Sequence, residues 1–173
     1  NSKLRGFCFR KLLNNYMLTM SSVILNRKAL FEQSEFFDER FELLEESDLF
    51  KRIAYKWEID FVDDPLVKWR IHGKSSTWEH YSKIHIEGLL MLEKFSKLYQ
   101  NFDLKFSNEI KKYKAILIRR KAISLWSKNK NYDARKIILK SIFVDKKNFV
   151  LFFLMFFSHS FYLKLTSKIR LGL

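Results

Sequence analysis

Six carboxylates fall within eleven positions, Asp38 to Asp48, in the stretch FDERFELLEESDLF (37–50). The chain around them is basic, with 33 Lys and Arg against 19 Asp and Glu and a net charge of +14. On a helix at about 100° per residue, Glu46 lies within about 40° of Phe50, Ile53 and Trp57, at the head of an apolar stripe. A carboxylate aligned with a core face must meet a partner or open into a cleft. Partial desolvation there raises its pKa toward the range of a general base. The competing reading is a salt bridge from Glu46 to one of the many cationic side chains. Glu42, Glu45 and Asp48 have an ordinary account, because the macrodipole favours acidic residues in a first helical turn. Asp48 and Arg52 fall roughly 200° and 240° around the wheel from Glu46. They read as an i, i+4 pair on a solvated face, contributing a few tenths of a kcal/mol.

The elements that must hold these groups follow from composition and periodicity. One proline and four glycines in 173 residues leave little material for a turn-rich β fold. A helical start at 7–16 precedes MLTMSSVILNR (17–27), whose β-branched and apolar residues predict a buried strand. An amphipathic helix is predicted over 45–58. Two short extended pieces around Pro65 follow over 59–72, and then the loop GKSST (73–77). Beyond it Ile84, Leu89, Leu92, Phe95 and Leu98 have helical spacing, and helices are predicted over 106–128, 132–143 and 148–165. The expected fold is therefore an α/β portion, 1–77, followed by an all-helical extension, 78–173, with helix dominating the whole. Cys8, the one cysteine, excludes an internal disulfide and points to a reducing compartment. With no His or Asp close in sequence, it reads as an inert thiol. No signal peptide is visible, and a start at Asn1 rather than Met reads as processing or as a piece of a longer polypeptide.

Phe37-Asp38-Glu39, five residues, Glu45-Glu46, Ser47, Asp48-Leu49 and Arg52 resemble the second half of the GT-A catalytic domain of family 2 glycosyltransferases. The downstream Pro65-Leu66, Trp69-Arg70, His72 and Ser75 or Ser76 are similar to that family's order too, and the likeness covers about residues 11–77. It implies inverting transfer of a sugar from a nucleotide-diphosphate donor to a saccharide or lipid-linked acceptor hydroxyl, in surface polysaccharide or glycolipid synthesis. Glu45 and Glu46 stand where the family carries Glu-Asp, and the second acid is the family's general base. Glu in place of Asp shifts the carboxylate by one methylene. His72 and Arg70 would face a metal–diphosphate group, or else serve as a loop His and a partner of Asp63 or Asp64. Ser21 and Ser22 would face the acceptor, or are merely exposed at a strand end. Trp69 and Trp78 would stack on a sugar, or pack as core. The resemblance also implies Mg or Mn held by an Asp-x-Asp motif in a nucleotide-binding half. No Asp-x-Asp and no Gly-rich phosphate loop occurs in this sequence. The chain is thus expected to be the acceptor-side part, inactive alone and without a metal site of its own beyond a candidate ligand at His72.

The charge is unevenly spread. Residues 1–104 carry 16 basic and 16 acidic side chains, whereas 105–173 carry 17 and 3. FVLFFLMFF (149–157) is far shorter than the roughly 20 apolar residues of a bilayer span. Flanked by Lys146, Lys147, Lys164, Lys168 and Arg170, the segment 146–170 suits a helix lying on an anionic membrane surface. Each basic side chain near such a surface adds roughly 1 kcal/mol of attraction. Packing of the phenylalanines as core is the alternative. Nucleic acid is not expected as a partner, since no recognition motif accompanies the charge. The expected location is cytoplasmic, peripheral on the inner face of the membrane. The rival to an enzyme fragment is a non-catalytic helical module that docks on a membrane or a protein.

Overall fold

A computed structural model describes residues 4–68 and 83–170, with side chains through Leu165. Helix dominates, as expected. The chain forms two compact units, Asn1–Ile110 and Lys111–Leu173, a division further along than the change of composition at residue 77.

In the first unit, α1 (Phe9–Asn14) buries Phe9, Leu12 and Leu13 and packs on α3 (Glu45–Lys56). Between them lie a 3-10 turn, Met20–Ser22, and the short α2 (Arg27–Phe31). The Asn26 side chain starts α2 by accepting from the Lys28 N–H at 2.9 Å, one of the donors that a helix start leaves open. α4 (Ile84–Leu98) and the one-turn α5 (Phe102–Lys105) complete the unit. Phe9 sits among the rings of Tyr55, Phe95, Phe102 and Phe106, with centroids 4.9–6.2 Å away and inclined to one another, the arrangement that ring quadrupoles favour.

The predicted strand over 17–27 does not form, and the α/β portion is not supported. Thr19 and Val23 are extended on either side of the 3-10 turn, but among the described residues only an isolated antiparallel bridge, Gly6 with Ile59, pairs two extended segments. A strand needs a ladder partner, and here side-chain packing takes its place. Leu18, Val23 and Leu25 pack against a core of Ala29, Leu49, Phe50 and Ile53. The apolar run was therefore a sign of burial and not of a sheet.

The expected solvated face of α3 is also absent. Ser47 through Ala54 are all buried, polar residues included. α4 turns inward a wider face than its apolar spacing suggests. Ile84, Leu92 and Phe95 are buried as expected and Leu89 and Leu98 are exposed, while Glu87, Gly88, Met91 and Lys94 are buried too. Both departures have one cause: the inner polar groups of α3 and α4 bind each other and the loop before α3.

α6 (Ser107–Ser127) carries the chain into the second unit, followed by α7 (Asn131–Ile138), a 3-10 turn (Leu139–Ser141), α8 (Lys146–Leu154) and α9 (His159–Arg170). Ala122, Trp126, Ala134, Ile138, Leu151 and Met155 form its core. Asp145 caps α8 by accepting from the Lys147 N–H at 2.9 Å. Buried Asn148 donates to the Ala115 carbonyl at 3.0 Å and to Ser141 at 2.7 Å, while Arg119 donates to its side-chain oxygen at 2.9 Å. The single helix predicted over 148–165 is broken at 155–158, where the side chain of Ser158 accepts from the Phe161 N–H at the start of α9.

Candidate functional site

Glu46 lies in the first turn of α3, half-buried, and its carboxylate accepts from the Met20 N–H at 3.1 Å. This contact brings it to the turn that carries Ser21 and Ser22. Burial raises the Glu46 pKa, opposed by the Met20 hydrogen bond and assisted by the neighbouring charge of Glu45. The buried Tyr16 hydroxyl lies beside it, and burial together with the Glu46 charge pushes that phenol far above its ordinary range. Glu45 is half-buried, and its Oε2 is buried with no hydrogen-bond partner among the described residues. Two carboxylates, a phenol and a backbone N–H therefore meet at one end of α3. A carboxylate that is desolvated and sits by another negative charge holds a proton more readily than an exposed one.

Behind it stands Lys51, 1% exposed. Its ammonium donates to Ser47 at 2.7 Å, approaches the Met91 sulfur at 3.4 Å and lies 5.2 Å from the Tyr16 ring centroid. The cation faces the ring that also flanks Glu46. Ser21 and Ser22 are exposed, and the Ser22 hydroxyl is engaged within its own turn, donating to the Thr19 carbonyl at 2.9 Å. Trp69, Arg70, His72, Ser75, Ser76 and Trp78 lie outside the described residues.

A second polar cluster sits further along α3. Asp48 and Arg52 do pair, at 2.9 Å, but both are buried, which corrects the solvated pair. Arg52 also donates to the carbonyls of Glu35 and Phe36 at 2.8 and 2.9 Å, pinning the loop before α3 to the helix. Lys94 of α4 reaches Glu35, Asp38 and Asp48 at 2.5, 2.9 and 2.8 Å. Burial lowers the Lys94 pKa, but the hydrogen bonds it donates to Asp48, Glu35 and Asp38 outweigh it and hold the amine charged. The Arg40 guanidinium binds Asp38 at 2.6 and 2.8 Å and holds that carboxyl well below the usual carboxylate range.

Oxygens of Glu35, Asp38 and Asp48 all lie within 4.8 Å of one another, a spacing that suits a metal. The Lys94 ammonium, with three donors for three carboxylates, already stands at their centre. These residues do not fit a divalent cation. Sequence reasoning missed Tyr16, Lys51 and Lys94. Lys94 lies seven residues after Glu87 on one face of α4, a polar spacing that reads as solvated until the structure shows that face buried.

Comparison with protein-family models, with curated proteins and with solved structures found no match.

Proposed function

We propose that residues 11–77 are the acceptor-side part of a GT-A-like, family 2 inverting glycosyltransferase, and that Glu46 is its general base. The observation that carries the proposal is the setting of Glu46. It is a half-buried carboxylate with a raised pKa, anchored on the Met20 N–H beside Tyr16, at the position where the family resemblance requires a base. In the step proposed, Glu46 takes the proton of an acceptor hydroxyl while that oxygen bonds to the anomeric carbon. The bond from that carbon to the nucleotide diphosphate breaks, and the diphosphate leaves. Glu45 and the Met20–Ser22 turn flank the acceptor. The donor, with its Mg or Mn, is held by a nucleotide-binding part that residues 1–173 do not contain, working at the cytoplasmic face of a membrane.

The test is transfer from a panel of labelled nucleotide-diphosphate sugars by the gene product together with its donor-binding part. Glu46→Gln should lose at least about 100-fold in transfer, the usual worth of a positioned base, while donor binding is unchanged. Activity within a few-fold of wild type removes Glu46 from the role. A second readout separates inactivity from misfolding. A carboxyl whose pKa is raised by folding costs stability once pH exceeds its unfolded value. Gln removes that cost, so the variant should melt at the same or a higher temperature at neutral pH.

A second reading, a docking module without catalysis, draws on the exposed aromatic side chains of the second unit.

A further inference from the structure

We infer that the outward face of α8 and the turn after it is a docking surface for anionic lipid. Beyond its first turn α8 is apolar on all sides, yet its own unit uses one stripe: Asn148, Leu151 and Met155 are buried. The opposite stripe carries Phe149, Val150, Phe153, Phe156 and Phe157, the last three 53%, 63% and 57% exposed. These side chains form a continuous strip, since Phe149 meets Phe153 at 5.1 Å and Phe152 meets both Phe153 and Phe156 at 5.5 Å. The strip has a cationic border. Lys146 and Lys147 are exposed at the head of α8, and the Arg135 guanidinium lies 4.9 Å from the Phe156 ring centroid.

Charge selects the occupant. The unit from Lys111 to Leu173 holds 16 Lys and Arg against 2 Asp and Glu, which is the entire +14 of the chain, while the first unit is neutral. A second copy would bring the same charge and the same basic border, and would be repelled. A surface that is apolar just below a layer of negative charge matches both features: rings enter the acyl boundary while Lys and Arg meet the headgroups. No helix among the described residues is long and apolar enough to cross a membrane, so contact is by lying on the surface. This inference is independent of Glu46.

Co-sedimentation of the intact chain with vesicles of phosphatidylcholine, alone or mixed with phosphatidylglycerol, tests it. Binding to the mixed vesicles and little to the neutral ones is expected. The exposed double variant Phe153→Ser/Phe157→Ser, its fold checked by circular dichroism, should bind the mixed vesicles at least about tenfold more weakly, the loss that two unburied rings predict. Lys146→Glu/Lys147→Glu should weaken binding to the mixed vesicles and leave the neutral ones unaffected. Negligible binding to both vesicles overturns the inference. So does unchanged binding by the Phe variant, which would make the attraction charge alone. Self-association of the wild type that the Phe variant abolishes, without vesicle binding, would assign the face to a second copy.

Discussion

Lys94 is the residue on which the order of the first unit turns, because one ammonium holds a loop carboxylate, a buried turn carboxylate and a helix carboxylate together. Removing one partner of a buried ionic group leaves uncompensated charge, which costs more than the group contributes net when intact. Lys94→Met should lower unfolding free energy by about 3 kcal/mol or more, read by urea denaturation at neutral pH. The deficit should narrow in acid, where the stranded carboxylates take up protons. Asp38 fixes the sign for the wild type. Its folded pKa is depressed by Arg40, so its contribution is complete above the ordinary carboxylate value near ~4 and is lost as pH falls below it.

At the scale of elements, α3 owes its start to another helix. Leu44, at the capping position before Glu45, offers no side-chain acceptor. Buried Glu87 of α4 accepts from the N–H groups of Leu43 and Leu44, both at 3.0 Å. A carboxylate here meets both the open donors and the positive end of the helix. Glu87→Ala should cost about 2–3 kcal/mol by stranding those donors, and Glu87→Gln, which keeps an acceptor, should cost less. Chemical denaturation of the two variants side by side checks this. The capping arrangement also marks what sequence could and could not show. The apolar periodicities of 45–58 and 106–128 correspond to α3 and α6, and helix content as a whole was legible. Glu46 was legible too, because it heads a stripe on its own helix. Glu87 and Lys94 were not, since a polar residue on a helix announces solvent unless its partners are known, and the partners of both lie more than 40 residues away in sequence. The run 17–27 failed for the matching reason: apolar and β-branched residues announce burial, while a strand depends on a neighbour elsewhere in the chain. The break at 155–158 was marked only by two serines around His159.

For the molecule as a whole, charge and fold divide at the same place. The neutral first unit buries one ionic cluster, around Asp48, Arg52 and Lys94, whereas the second carries its excess charge on the outside of a small core. Like charge crowded on a compact unit opposes its folding, and salt screens that repulsion while leaving buried pairs almost untouched. Added NaCl should therefore raise amide-exchange protection in α7 and α8 and change little in α3. Equal response in both regions would refute the contrast. The ionic cluster of the first unit has a consequence of another kind. Glu35, Asp38 and Asp48 are matched by Arg40, Arg52 and Lys94, three negative groups by three positive ones. Any single inherited replacement that alters charge there unbalances a neutral ensemble whose centre, Asp38, Asp48, Arg52 and Lys94, is buried. Sequence drift at these six positions is thus constrained to move in compensating pairs, one acid lost with one base, or not at all.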